Sequence, residues 1–372
     1  MKKIYTAIGL MSGTSLDGLD IAYCEFRVSN NKWEWDILKA DTLRYNQVWV
    51  RLLREAHTLD GLGLSLLHTS YGHWIGQTVA KFIRDHKLRP QLIASHGHTV
   101  FHSPADRMTL QIGSGAAIAS ETRVLTVSDF RSLNIALGGQ GAPLVPIGDL
   151  LLFGNYDACV NIGGFANISI GSQTKRTAYD ICPANFVLNF LSNKLGYPFD
   201  PEGILATKGK VDNKLLMELE QLEFYKKPGP KSLGREWVEQ VVLPILEQSD
   251  TEPEDQIATF THHIASQIAQ CLPSNNDTKA IFTGGGTHNT YLMSLIKDKA
   301  CCEIVIPDDK VIDFKEALIF ALLGTLRLEG LNNCLSDATG ACCDCSGGAV
   351  HLPPIEKEIV NAIGKSRKIV SK

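Results

Sequence analysis

The chain has little that would hold a polyanion. Its 36 lysines and arginines are outnumbered by 40 acidic residues, for a net charge of -4, and no long basic run gathers them. The electrostatic footprint expected for nucleic acid or an anionic membrane surface is missing. Long apolar runs are missing too: the start, MKKIYTAIGLMSGTS, breaks at Gly13 and Ser15 before it could form a secretory core or a membrane span. A cytoplasmic protein with a small-molecule partner is therefore expected. The ten cysteines do not fall into paired C-x(2–4)-C elements, so Cys301-Cys302 and Cys342-Cys343-x-Cys345 do not make the usual structural zinc spacing. Reduced thiols are expected, and no metal ligand set is assigned. The P-loop is absent as well. Its nearest candidate, GILATKGKV from Gly203, has five intervening residues and ends on Val211 where Ser or Thr is required, and no G-x-G-x-x-G follows a strand.

What is present is core-forming material, 44% hydrophobic in 372 residues, enough for about two domains. Residues 4–11 read as a buried strand and 19–28 as its hairpin partner. Helices are expected near 46–58 and 63–87, followed by short apolar runs at 91–95, 108–112 and 123–127, with GAAIASE a short helix between the last two. A second series starts at DACVNIGGFANISI (157–170) and leads through RTAYD into a helix from about Ala184 to Gly196. Helical periodicity returns at 234–248 and 255–272; KAIFTGGGTHN offers a strand, a triple-glycine turn and a helix start; FKEALIFALLGTLRLEG (314–330) is an apolar helix with a glycine stop. KKPGPKSLG (226–234) reads as an exposed loop. Two strand-turn-strand openings in one chain predict a duplicated α/β architecture, two lobes facing a cleft.

The glycine turns carry the first chemistry. A phosphate that approaches the main chain needs N–H groups in a concave turn, and glycine permits that approach. In GLMSGTSLDGLD (9–20), Gly13, Thr14, Ser15 and Gly18 supply such a turn, a hydroxyl of Thr14 or Ser15 adds a donor, and Asp17 or Asp20 suits a hydrated Mg²⁺. A type I′ hairpin closed on Asp17-Gly18 accounts for the same residues without a ligand. Two further turns follow apolar strands, NIGGFAN with Gly163, Gly164 and Asn167, and TGGGTHN with Gly284, Gly285 and Gly286, the second read as opening a helix whose N-terminus favours anions. Three such turns favour a nucleotide held by split loops.

In order along the chain, GLMSGTSLDGLD, SHGHTVFH, GGQGAPLVP, NIGGFANIS, AYDICPAN, PKSLGREW, GGGTHN and KEALIFALLG resemble the anhydro-N-acetylmuramic acid kinase family over about residues 9–324. The resemblance implies the actin, Hsp70 and sugar-kinase fold: two RNase H-like lobes around a central nucleotide and substrate cleft, here 1–130 with 340–372 and 131–339. It implies ATP with Mg²⁺, a 1,6-anhydro-N-acetylmuramic acid substrate opened by water and phosphorylated on O6, and a place in cell-wall recycling. The family's phosphate turn maps onto Gly13, Thr14, Ser15, Leu16, Asp17, Gly18, Leu19 and Asp20, its catalytic base onto Asp180, and its sugar-side glutamate onto Glu316. The chain departs from the family pattern where His98 stands for a common Gln, where DICPAN replaces DTGPGN, and in the tail SDATGACCDCSGGAV.

Individual residues retain alternatives. Asp180 ends a β-type run just before a helix, so it suits a base at a strand's C-terminal edge or a helix N-cap. His96 and His98, spaced i, i+2, would share a strand face as metal ligands or lie in a loop on a polar sugar; Ser95 and His96 are the substrate contacts chosen. Arg131 suits a carboxylate or phosphate through paired N–H groups, or a surface ion pair with Asp129, and Lys231 and Arg235 are comparable. Another sugar or carboxylate kinase, or a nucleotide switch without transfer, are the competing functions, and a homodimer is left open.

Overall fold

The computed structural model describes residues 2–13, 16–30, 32–172, 176–229 and 231–353. Thr14 and Ser15 lie outside the described residues, as do 354–372 of the expected 340–372 segment. The chain divides into two compact units: one runs to Gly141 and adds Ala317–Asn333 and the chain from Cys345, and the other comprises Ala142–Glu316 and Cys334–Asp344.

In the first unit β1 (Lys3–Ser12), β2 (Gly18–Ser29) and β3 (Lys32–Arg44) form an antiparallel meander. Parallel strands β4 (Leu92–Ser95) and, beyond a ribbon of β5 (His98–Ser103) and β6 (Met108–Ile112), β7 (Leu125–Ser128) extend the sheet from β1. The segment Ala349–His351 closes the edge against β7. Ala7, Ile8 and Leu10 of β1 and Leu92, Ile93 and Ala94 of β4 are buried, as central strands covered on both faces require. The helix Gly61–Asp85 begins at Asp60, whose carboxylate accepts the Gly63 N–H at 2.7 Å, and buries Tyr71, Ile75, Val79 and Phe82 at helical spacing. β3 was not foreseen; its alternating, half-exposed pattern is that of an edge strand with too little apolar content to announce itself.

The second unit repeats the plan. β8 (Ala158–Ile162), β9 (Phe165–Gly171) and β10 (Arg176–Pro183) form the meander, and β11 (Lys279–Thr283) and β12 (Glu303–Val305) add in parallel beside β8. The sheet orders, 3-2-1-4-7 and 10-9-8-11-12, are one topology used twice, the RNase H-like arrangement that the family resemblance implied. The units are more interleaved than 1–130 with 340–372 and 131–339. The long helix Asp309–Leu328 passes from one unit into the other, and Ala317 and Ala321 lie on β1 at Gly9 so closely that a Cβ on Gly9 would fall 1.7 Å from the Ala317 carbonyl oxygen.

Two expected elements differ. The helix expected over 234–248 is present as one helical run from Arg235 to Gln248, but it widens to a π-turn over Val238–Val242, just before Pro244 withholds an N–H. The triple glycine opens a 3-10 turn, Gly285–His288, while the following helix, Thr290–Lys299, is capped by the Asn289 side chain accepting from the Leu292 N–H at 2.9 Å. The helix-terminus argument for TGGGTHN therefore fails; its N–H groups belong to a turn.

Candidate functional site

Within the first unit the hairpin from β1 to β2 places Gly13, Leu16 and Asp17 at its tip, with Leu16 in the left-handed region at φ 59° and its N–H directed to the Gly13 carbonyl at 3.4 Å. Gly18 is called for by packing, since a Cβ there would meet the Leu43 carbonyl oxygen of β3 at 2.7 Å. Leu19 is core. Asp17 is exposed, whereas Asp20, the third residue of β2, accepts the Thr42 hydroxyl at 2.6 Å. Of the expected phosphate turn, then, Gly18 and Leu19 build the hairpin, Leu16 packs against the core, and Asp17 is exposed.

The end of β4 carries Ser95, His96 and the bend at Gly97, whose φ of +74° ends the strand. β5 starts afresh at His98, so His96 and His98 do not share a strand face, which removes the geometry for joint ligation. Ser95 Oγ is sealed from solvent and has no partner among the described residues. His96 is buried and both ring nitrogens are engaged: Nδ1 donates to the Gly97 carbonyl at 2.9 Å, and Nε2 accepts from Arg131 Nε and Nη2 at 3.1 and 2.9 Å. A carbonyl only accepts and a guanidinium only donates, so the imidazole is neutral with its proton on Nδ1. Burial first, and the Arg131 charge second, hold its pKa well below the usual histidine value. Arg131 Nη1 donates to the Gly141 carbonyl at 2.6 Å, so His96 and Gly141 orient the guanidinium. The Asp129 carboxylate accepts the Ser132 hydroxyl at 2.6 Å at the head of a short helix.

In the second unit the glycine turns divide by cause. Gly284, at φ +84°, and Gly286 lie against β8: a Cβ on Gly284 would meet Asn161 Oδ1 at 2.6 Å, and one on Gly286 the Ile162 Cγ2 at 2.3 Å. Gly285 has nothing within 4 Å, and at Gly163 and Gly164 a Cβ would meet neighbours no closer than 3.6 Å. At these three positions neither the fold nor the backbone conformation calls for glycine, so an absent side chain keeps the main chain open to a ligand. This is the fit expected of a phosphate cradle.

Asp180 lies opposite Asn167 on β9, Asn167 opposite Asn161 on β8, and Asn161 beside Thr283 on β11, a polar row on one face across four strands. A bulge after Asp180 turns the chain toward the helix Asn185–Lys194. The segment from Lys231 holds Asp180 by its backbone. The Asp180 N–H donates to the Lys231 carbonyl at 2.9 Å, and the Leu233 N–H donates to Asp180 Oδ2 at 2.8 Å. Oδ1 has no partner among the described residues. Burial raises the carboxyl above its ordinary 3.8, opposed by the Leu233 N–H. Asp180 does not cap the helix, whose cap residue is Ala184. The Lys231 side chain serves packing, donating to the Phe224 carbonyl at 3.1 Å over the Phe224 ring, and Arg235 pairs with Glu239 at 2.6 Å.

Glu316 is half-buried on the long helix directly after Lys315. Sequence reasoning missed Lys315: it is buried, with Nζ 2.7 Å from Asp149, itself buried. The signal was available as a lysine inside the apolar run KEALIFALLG. Asn161 was missed as well, although it heads the NIGGFAN turn. Among the described residues no group of three or more His, Cys, Asp or Glu side chains could hold a metal ion, and no helix is long and apolar enough to cross a membrane.

Two RNase H-like sheets in one chain define the class of actin, Hsp70 and sugar-kinase α/β proteins. The sequence profile described as anhydro-N-acetylmuramic acid kinase matches residues 5–353. Proteins named anhydro-N-acetylmuramic acid kinase from Rhodopseudomonas palustris, Gloeobacter violaceus and Clostridioides difficile are 35%, 36% and 33% identical, covering 94%, 90% and 90% of this chain and 100%, 95% and 95% of their own. The chain belongs to the anhydro-N-acetylmuramic acid kinase family and is a phosphotransferase. Among solved structures the overlap is looser, for instance a TM-score of 0.41 at 13% identity over 87% of this chain and 93% of a Clostridium difficile dehydratase activator; the fold assignment rests on strand order instead.

Proposed function

We propose that this enzyme opens the 1,6-anhydro ring of 1,6-anhydro-N-acetylmuramic acid with water and transfers the ATP γ-phosphoryl group to O6, forming N-acetylmuramic acid 6-phosphate in cytoplasmic cell-wall recycling. The observation that carries the reading is Asp180, a carboxylate with Oδ2 tied to the Leu233 N–H and Oδ1 without a protein partner. Oδ1 takes a proton from water as the water oxygen bonds to C1 and the C1–O6 bond breaks. Its raised pKa makes it a better base than an ordinary surface aspartate, and the Leu233 N–H aims it. ATP with Mg²⁺ supplies the electrophilic phosphoryl group that takes up the negative charge developing on O6, so no separate strong acid is needed there.

The open backbone at Gly163, Gly164 and Gly285 suits the phosphates, with the Gly13 to Asp17 tip a second contact. Asp17 and Asp20 are the carboxylates assigned to hydrated Mg²⁺, Asp17 exposed before β2 and Asp20 the third residue of β2. Arg131 is preset by His96 and Gly141 for an anionic oxygen of the sugar, and Glu316 is assigned to the same substrate. Phosphorus NMR of ATP, Mg²⁺ and the anhydro sugar tests the reading. A new phosphomonoester signal that appears only with the sugar is expected; equal ATP turnover without sugar would point to a nucleotide switch.

A further inference from the structure

A buried chain of hydroxyl groups ends on His98, a residue that the reaction above does not use. Tyr71 OH and Tyr45 OH are 2.5 Å apart, Tyr45 OH donates to Ser12 Oγ at 2.8 Å, and Ser12 Oγ is 3.3 Å from His98 Nδ1. Tyr71 and Ser12 are almost wholly buried, and Tyr45 and His98 nearly so. With Tyr45 donating to Ser12, one proton per hydroxyl fixes the direction of the rest of the chain. The Tyr45 proton is committed to Ser12, so Tyr71 must donate to Tyr45, and the Ser12 proton is left for Nδ1. A neutral His98 that accepts at Nδ1 carries its own proton on Nε2. Nε2 has no partner among the described residues and is not one of the polar atoms sealed from solvent.

We infer that the Tyr71–Tyr45–Ser12 chain fixes His98 as a neutral Nε2–H donor, and that this N–H binds an acceptor oxygen of the sugar. The position supports it. Ser12 directly precedes the Gly13 turn proposed for phosphate, and His98 opens β5 two residues after His96, whose N–H is bonded to the Leu10 carbonyl of β1 at 3.0 Å and whose Nε2 holds Arg131, the residue proposed for the sugar. Burial pushes the His98 pKa down to about 4, which keeps the ring neutral over the working range and leaves the tautomer to the hydroxyl chain. Tyr45 and Tyr71 are themselves clamped in an aromatic cluster with Trp49 and Trp74, ring centroids 5.3 to 5.8 Å apart for the Trp49–Tyr71, Trp49–Trp74, Tyr45–Trp74 and Tyr71–Trp74 pairs, so the chain is rigid.

This inference rests on the sugar-kinase reading but is tested apart from it. Nitrogen NMR of the wild-type ligand-free protein, with the ring signals assigned by their loss in His98→Gln, is expected to show His98 protonated on Nε2 alone; protonation on Nδ1 would overturn the inference whatever the enzyme's activity. With wild-type turnover as the control for the function itself, His98→Leu is expected to raise the sugar KM about tenfold, the loss of one hydrogen bond of about 1.4 kcal/mol, with the ATP KM within about twofold. His98→Gln, which retains an N–H donor, is expected to stay within about threefold of wild type. An unchanged sugar KM in a folded His98→Leu protein would refute the contact, and an equal rise in both KM values would assign His98 a structural role instead.

Discussion

Replacing Asp180 by asparagine tests the mechanism and the electrostatics together. The amide oxygen can accept the Leu233 N–H that now bonds Oδ2 at 2.8 Å, so shape and anchoring survive while the basic oxygen becomes an NH₂ group. Loss of a positioned general base costs about 10²- to 10⁴-fold, or about 2.7 to 5.4 kcal/mol in the barrier. Sugar-dependent ADP release should fall by at least a hundredfold (about 10² in rate) with ATP binding intact by calorimetry. The same substitution makes a stability prediction of opposite sign. Burial raises the folded carboxyl above 3.8, so the folded protein holds this proton more tightly than the unfolded chain does. The resulting stabilisation is fully present below the unfolded value and is lost as pH rises through the folded one. At pH 7 the wild type therefore carries the cost of a buried charge that Asp180→Asn removes. The variant should melt at or above the wild-type temperature at pH 7, and its relative advantage should shrink as pH falls through the raised folded value and level off below the ordinary 3.8. A folded Asp180→Asn protein that keeps more than about a tenth of the wild-type rate would refute the base assignment. A clearly lower melting temperature at pH 7 would refute the account of the buried charge.

The glycine turn at 284–286 separates ligand from fold: Gly285→Ala should leave the melting curve unchanged and weaken ATP in a calorimetric titration, whereas Gly286→Ala, with its Cβ 2.3 Å from Ile162 Cγ2, should cost about 1 to 3 kcal/mol in denaturant. Unchanged ATP affinity in Gly285→Ala would remove that turn from the phosphate site. Lys315→Met strands the buried Asp149 carboxylate and should cost about 3 to 5 kcal/mol by urea unfolding, most of it recovered by adding Asp149→Leu. Failure of the double substitution to recover stability would mean that the pair does more than neutralise charge.

Much of the fold was legible because it is written in local pattern. Apolar runs bounded by turn residues mark β1, β4, β8 and β11, and the repeated strand-turn-strand opening announced a duplicated sheet. Ordered motifs carried the family, whereas Asp180, expected to end its strand, lies within β10, which runs on through a bulge to Pro183. These properties depend on side-chain period and backbone allowance, which neighbouring residues determine by themselves. Tertiary structure decided the rest. Only contact with β8 distinguishes Gly284 and Gly286, which packing demands, from Gly285, which it does not. Only the Leu233 N–H, 53 residues away in sequence, ties Asp180 Oδ2, while Ala184 rather than Asp180 caps the helix. His96 and His98 look alike in SHGHTVFH, yet Arg131 and Gly97 place a proton on Nδ1 of one, and a serine 86 residues distant directs the proton to Nε2 of the other. Tautomer, aim and buried charge are determined by partners that the folded chain brings within 3.3 Å, and sequence spacing carries no record of those distances.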